Sequence, residues 1–539
     1  MRFRSIHQKR GRVPNLLGSW GLISLLVGCS EKSYDMAGDA YYDTGGMSYG
    51  AEDSYEWDTD GGDYDDGYAE EVEDDFLALE PATTNAFVFV ANPARNTVTR
   101  ISVPSLAVLT TEVGVDPSVV ATTDDYATAV VFNQGTDDVS IVDSETMEVS
   151  TVEVRENFNQ MEISPDGKWV VCYHDTAMED EDDAAEESGA LSYSEVSVVN
   201  IETLEHFPMV VGTDPHDVQF TDDSQLAVVV SDAYLSVIDL SSDELDSPTR
   251  LEISDDLIDP PEAEEVLLAP DGSYAFVRQF GATELVLVDL EALEVTTVAT
   301  GDNPTDMDIT PDGTQAVTVA RGSAELWIYD LADPEGEAEV VAFPEDMVFG
   351  SVTLSADDSQ GLLYSTATGE SLYATWDRDA VDQDDAITVR GLVKPVDTVA
   401  LSPTGGTALI FHDSTNGADV ETSSPYYNEF ALTLVDLDDF FSNPLLLPGE
   451  PSAYANSEDG EVGFFIMEDE KYLVELDYAT LLPNDIDLKS DPVHIGVLPD
   501  TRLVYASQDH ELGRISFYDP DTEELQTITG FELNSGIEY

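Results

Sequence analysis

Asn303-Pro304-Thr305-Asp306-Met307-Asp308-Ile309-Thr310-Pro311-Asp312-Gly313, continued by Ala316-Val317-Thr318-Val319-Ala320 and by Glu325-Leu326-Trp327-Ile328-Tyr329-Asp330, is the stretch that decides the fold. It holds three short apolar or alternating segments, with Pro-Asp-Gly between the first and second and an Asp closing the third. Successive antiparallel strands of a meander have this pattern. Beyond residue 80 nearly the whole chain repeats it. The proline of the turn gives a register, with equivalents at Pro81, Asp124, Pro165, Asp222, Pro270, Ala356, Pro403, Glu458 and Pro499. Where nothing is inserted these stand roughly 41 residues apart, the spacing of four-stranded propeller blades. The expectation is an all-β chain folded as a single closed β-propeller over residues 80–539, with about ten units.

Two further patterns refine this. The third segment ends in an acid or amide in almost every unit, as in Val142-Asp143, Val199-Asn200, Ile238-Asp239, Val288-Asp289 and Leu476-Asp477. Such recurrence fits a structural carboxylate that accepts N–H bonds in the turn it opens. The first unit, registered at Pro81, lacks a leading strand, while the chain closes with Asn534-Ser535-Gly536-Ile537-Glu538-Tyr539, which matches the template's first strand. The C-terminus is therefore expected to pair into the first blade and close the ring, leaving no open sheet edges at the joint.

The 539 residues carry 112 Asp and Glu against 20 Lys and Arg, a formal charge of −92. Five of the basic residues, Arg2, Arg4, Lys9, Arg10 and Arg12, precede Cys29, so a chain starting at Cys29 carries about −97. A surface of that sign repels phosphate backbones and anionic headgroups, which disfavours nucleic-acid binding and electrostatic membrane docking. Cations, cationic partners or a saline medium suit it. With 26 Pro and 36 Gly, the punctuation is that of a turn-rich β protein. The two cysteines, Cys29 and Cys172, allow no disulfide framework. Cys172, within Trp169-Val170-Val171-Cys172-Tyr173, is read as a buried free thiol.

Residues 1–28 join a basic start to a short apolar run, Leu22-Ile23-Ser24-Leu25-Leu26-Val27, and end on Gly28, the pattern of a secretory signal. Leu26-Val27-Gly28-Cys29 resembles the lipobox of bacterial lipoproteins, which implies lipidation of Cys29 and attachment to the membrane through that lipid. Ser30 follows, where the family's inner-membrane retention signal has Asp, so the resemblance points to the outer membrane. Residues 29–79, including Asp58-Thr59-Asp60-Gly61-Gly62-Asp63-Tyr64-Asp65-Asp66-Gly67, are rich in Asp, Glu, Gly and Tyr without apolar periodicity, and are expected to form a disordered tether.

The units resemble those of the YVTN-type β-propeller repeat family, related to the lactonase-like propellers. Ala86-Phe87-Val88-Phe89-Val90-Ala91-Asn92-Pro93-Ala94-Arg95-Asn96-Thr97-Val98 matches its eponymous motif, and Ile163-Ser164-Pro165-Asp166-Gly167-Lys168 and Pro304 to Gly313 follow the rest. Units seven and nine depart from the pattern. The resemblance implies a propeller fold and extracytoplasmic placement, and little about chemistry.

Two units carry insertions between their second and third strands: residues 175–194, with Met178-Glu179-Asp180-Glu181-Asp182-Asp183, and residues 413–428, with Ser424-Pro425-Tyr426-Tyr427. In a four-stranded meander both lie on the rim that also carries the blade-to-blade connections, and long loops on a rigid scaffold are where binding usually resides. They belong to units three and eight, opposite each other in a ring of ten. Asp116, Asp214, Glu450 and Asp491 share that rim, each just before a proline, as does Asn303. A hard cation such as Ca²⁺ would take such carboxylates as ligands; turn-starting residues are the simpler reading. His174-Asp175 and His412-Asp413 stand at the feet of the insertions, and His216 and His494 near blade openings. As candidate ligand-face residues these histidines are expected to be solvent-exposed, with metal binding the alternative.

No catalytic signature is present: no Cys-x-x-Cys-His, Gly-x-Ser-x-Gly, His-Glu-x-x-His or phosphate loop. The sequence is read as an exported, lipid-anchored propeller that binds an unknown protein or small molecule or acts as a scaffold, and is more in keeping with a binding protein than an enzyme. The alternatives are a lactonase-like hydrolase built from scattered acids and histidines, and a structural surface-layer component.

Overall fold

The computed structural model describes residues 81–176 and 194–531, apart from short stretches at 243, 255, 258–259, 262, 280, 356–357, 368, 379, 381–385, 418–419, 438–440, 458 and 511. The template stretch folds as read: Pro304–Ile309, Gln315–Ala320, Glu325–Asp330 and Glu339–Ala342 are four antiparallel strands in sequence order, innermost to outermost. Ten such sheets follow one another along the chain, each an up-and-down meander, and together they form a ten-bladed propeller. Units seven and nine, despite their irregular sequences, are complete blades, 351–391 and 451–487.

The strand sequences explain which layer each occupies. Second and third strands are covered on both sides and are apolar nearly throughout, as in Leu226–Ser231 (LAVVVS) and Thr407–His412 (TALIFH). Outer strands are largely part-exposed and several carry acids, as in Glu294–Ala299 (EVTTVA), where only Val298 is buried. Those acids, with Pro208, Pro444 and Pro483 in three outer strands, discourage pairing between molecules along the free edges.

The hydrophobic core is divided among the seams. Ten clusters of buried apolar residues occur among the described residues, and each straddles one pair of neighbouring blades. The tenth joins Val88, Ile101 and Leu106 of blade 1 to Leu498, Tyr505, Ile515 and Phe517 of blade 10, and the Tyr505 hydroxyl donates to the Pro81 carbonyl at 2.9 Å. The ring is therefore closed. Cys172 lies in the seam between blades 2 and 3, where burial pushes its thiol pKa well up and leaves it inert.

Blade 1 corrects the register assigned from sequence. Its first strand is present but only two residues long, Ala82–Thr83, and the turn that follows is closed by Thr84 N–H on Phe87 O at 2.8 Å. Pro81 precedes that strand and is not the turn proline: the turn is two residues shorter than its counterparts, which shifts the sequence of this blade against the template. The closing strand expected at Asn534 to Tyr539 lies outside the described residues, as do Cys29 and residues 29–79.

Inner strands are stitched to one another by side chains. Glu265 accepts Met307 N–H at 3.0 Å, Asp306 accepts Val352 N–H at 2.6 Å, and Asp308 accepts Leu354 N–H at 3.3 Å, each across a seam. Gln219 donates to Val266 O at 2.9 Å and Thr122 to Thr83 O at 2.7 Å. Acids and amides on these strands thus satisfy backbone groups that no further strand covers.

Candidate functional site

The rim singled out from the sequence is a real structural feature. Each connection between blades runs beside the loop joining the second and third strands of the next blade, and backbone bonds tie the two together. Gln134 N–H donates to Asp116 O at 3.0 Å, Arg321 to Asn303 O at 3.0 Å, Glu468 to Glu450 O at 2.8 Å and Asp509 to Asp491 O at 2.8 Å. Asp116, Asp214 and Asn303 adopt left-handed backbone conformations, with φ of 54°, 58° and 51°. Asn and Asp tolerate that region better than other non-glycine residues, which accounts for their place before the blade-opening prolines.

Two of these rim side chains meet local partners. Asp116 and Glu450 are exposed, Asp214 accepts the Thr176 hydroxyl at 3.0 Å, and Asp491 stands 3.5 Å from Lys471 Nζ. They belong to blades 2, 9, 4 and 10, and among the described residues no three His, Cys, Asp or Glu side chains converge in a way that could hold a metal ion.

The histidines depart from expectation. His174 and His412 are buried, 7% and 0% exposed, where exposed loop histidines were expected. Both make the same contact: Nδ1 of His174 lies 2.8 Å from Asn157 O, and Nδ1 of His412 lies 2.6 Å from Pro395 O, each 17 residues back in the preceding connector. A carbonyl partner requires Nδ1 to carry the proton, so the Nε2 of His412 accepts the Thr433 hydroxyl at 2.8 Å. Both nitrogens of His412 are thereby engaged, and burial pushes its pKa down to about 4. Asp175 is likewise buried, with Asn159 accepting its N–H at 2.8 Å and donating to its carbonyl at 2.7 Å. These residues fasten the feet of the insertions to the ring. His216 is half-buried, its Nδ1 3.3 Å from Asp214 O and 4.0 Å from an Asp232 carboxylate oxygen, and His494 lies partly buried in the inner strand of blade 10.

Of the two insertions, that of blade 3 falls mainly in 177–193, outside the described residues. That of blade 8 is described apart from 418–419, and it is a compact series of tight turns. Val420 N–H donates to Gly417 O at 3.2 Å, Ser424 to Glu421 O at 2.8 Å, Tyr427 to Ser424 O at 3.3 Å and Glu429 to Tyr426 O at 3.3 Å. Asn416 and Asn428 bond each other across the stem, by Nδ2 to Oδ1 at 2.5 Å and by Asn428 N–H to Asn416 Oδ1 at 2.9 Å. Asp413 accepts the N–H and hydroxyl of Thr415 at 2.9 and 2.8 Å. The Tyr426 hydroxyl reaches the Pro444 carbonyl of the outer strand at 3.3 Å, so the loop leans outward along its own blade. Glu421, Thr422, Ser423, Pro425, Asn428 and Glu429 face solvent.

Buried cations went unnoticed in the sequence because nothing local marks them. Lys394 sits in the connector before blade 8, fully buried, and donates to the carbonyls of Asp413 and Glu429. Arg278, 7% exposed, is held by Glu264 and Glu265 and reaches toward Pro304 O at 3.5 Å across the next seam. Burial opposes its charge, but the two glutamates outweigh that and raise its pKa. Arg100 stacks 4.2 Å over Phe87 and donates to Ser144 O and Glu145 O of blade 2, at 2.5 and 2.8 Å. Arg502 of blade 10 grips Asp459 and Glu461 of blade 9. In this acid-rich chain several of the few cations sit where blades meet. On the lower face, burial and Asp125 push the Asp124 carboxyl up to about 7.

No family model matches the sequence, and no curated protein matches it. Solved structures do resemble the fold. A eukaryotic initiation factor aligns over 75% of this chain and 96% of its own, with a TM-score of 0.50 and 11% identity. The dihydro-heme d1 dehydrogenase NirN in complex with DHE aligns over 75% of this chain and 73% of its own, at 0.43 and 14%, and apo AztD from Citrobacter koseri over 67% and 94%, at 0.41 and 11%. At such identities the likeness is one of architecture, and the chain is a β-propeller.

Proposed function

We propose that this chain is an exported, lipid-anchored β-propeller of the YVTN type that acts as a binding or scaffold module at the cell envelope, probing its surroundings with the insertion-bearing rim and performing no covalent chemistry. The observation that carries this reading is the blade-8 insertion. It is a compact, internally bonded loop on a rigid ring, rich in Tyr, Ser, Thr and Asn. Tyrosine offers large contact area for little lost rotamer freedom, and Ser and Asn offer adaptable hydrogen bonds, which is the composition that protein-binding loops favour. Its solvent-facing residues are mostly neutral, so a partner meets less repulsion there than elsewhere on the acidic surface. Export and anchoring rest on the basic and apolar residues 1–28 and on Leu26-Val27-Gly28-Cys29; Ser30 supports the outer membrane, and residues 29–79 supply reach.

Site-specific photocrosslinking in the native host tests the binding face. A photoreactive residue at Thr422 or Pro425 is expected to give a discrete crosslinked species that the same probe at exposed Leu293, in the turn between the third and fourth strands of blade 5 on the opposite face, does not. Identical patterns from both positions refute the assignment. Mass analysis of the mature N-terminal peptide, with Cys29→Ser as control, reads the lipid directly.

A further inference from the structure

The described part of the blade-8 insertion has a feature its fold does not need. A propeller blade can join its second and third strands in two residues, as Asp232 and Ala233 do between Ser231 and Tyr234 in blade 4. Blade 8 instead inserts a loop and builds a charged clasp beneath it. Lys394 approaches from the preceding connector, is 0% exposed, and directs its ammonium at the carbonyls of Asp413 and Glu429, the first and last residues between the strands Thr407–His412 and Phe430–Asp436. Burying an ammonium is costly unless it is paired and hydrogen-bonded, so a lysine at this place implies a compensating purpose. Burial opposes its charge and brings its pKa down, against the carboxylates of Asp413, Glu429 and Asp397, which favour the charge. Neighbouring His412, neutral and fixed on both nitrogens, holds the first foot in register with the same connector.

We propose that Lys394 is the positioning residue of the blade-8 insertion: by bonding both feet at once it closes the loop's ends and presents residues 420–428 in one preformed shape. Closing the ends in advance removes entropy that a partner would otherwise have to remove on binding. The inference rests on the binding role proposed for this rim only for its purpose; the clasp itself is read without any partner. The feet of the blade-3 insertion are held differently, with the neutral amide of Asn159 clamping Asp175.

Two measurements on the whole propeller test it. In the unmodified protein, brief treatment with an amine-acylating reagent is expected to leave Lys394 unmodified while Lys471 and Lys489, both exposed, react. Labelling of Lys394 at the rate of Lys471 overturns the clasp. Hydrogen exchange then compares the unmodified protein with Lys394→Met. The amides of Ser424, Tyr427 and Glu429, bonded inside the loop, are expected to exchange about tenfold faster or more, while strands of blades 1 to 5 keep their protection. Unchanged exchange in the loop, or an equal rise throughout the ring, refutes the positioning role. Neither readout depends on a partner, so failed crosslinking at Thr422 would refute the binding role and leave this result standing.

Discussion

His412 shows how much a single residue's meaning depends on its surroundings. Before a loop full of Ser and Asn it looks like a surface ligand, yet it is buried with a carbonyl on one nitrogen and a hydroxyl on the other. Its folded pKa, near 4, lies below the ordinary 6.5, so the unfolded chain binds more protons between those values. Stability from this site is thus complete above about pH 6.5 and is lost as pH falls toward 4. The loss is on the order of 2–3 kcal/mol, and His412→Gln should remove that part of the acid dependence. Chemical denaturation of both proteins from pH 7 to pH 4 measures it; parallel pH profiles would contradict it. The recurring acid at the end of each third strand was, by contrast, legible from recurrence alone. Asp289 accepts Glu291 and Ala292 N–H at 3.0 and 2.7 Å, and Asn200, Asp143 and Asp477 do the same in their own turns. A hydrogen-bonded turn needs only neighbours in sequence, so sequence suffices to find it.

At the scale of elements, the Pro-Asp-Gly turn does two jobs. Gly313 N–H closes the turn on Thr310 O at 2.7 Å with φ of 69°, a conformation that favours glycine. The turn also nests against the preceding blade: a Cβ on Gly313 would stand 2.8 Å from Pro270 Cγ, and one on Gly272 would stand 2.9 Å from Thr221 Cγ2. Gly313→Ala is therefore expected to cost about 1–3 kcal/mol through backbone strain and seam crowding together. Gly391→Ala, where nothing lies within 4 Å, should cost about 1 kcal/mol or less. Urea unfolding of the two variants separates them, and equal midpoints would show that the nesting is unimportant. Where the turn sequence changes, at Tyr126, Ser224 and Asp358, the left-handed φ persists at 61°, 57° and 61°. Strand existence and order were readable because apolar alternation and turn residues are local. The two-residue first strand of blade 1 was not, since its pairing with Val88 and Phe89 leaves almost no pattern.

For the whole molecule, the charge of −92 sets the response to salt. Several seams have a cation, Arg100, Arg278, Arg378 and Arg502 among them, but acids are spread over every blade. Self-repulsion should lower stability at low ionic strength and be screened as the Debye length shrinks from roughly 10 Å at 0.1 M to 3 Å at 1 M. Asp116, Asp214, Glu450 and Asp491 lie in separate blades, so matched ionic strengths of NaCl and CaCl₂ are expected to raise the melting temperature of the propeller alike. A saturable rise at millimolar CaCl₂ alone would reverse that expectation and direct mutagenesis to those four carboxylates.

By itself the sequence determined the strand order, the ten repeats, the turn chemistry, the placement of the two insertions and the sign of the surface, because each depends on residues near one another along the chain. Only the tertiary structure decided that the ring closes through a core shared by Val88 and Tyr505, that His174 and His412 are buried fasteners, and that Lys394 holds both feet of a loop. Those contacts join residues from different blades or opposite ends of an insertion. Burial and pairing there follow from how the blades pack around the ring, which no local pattern records.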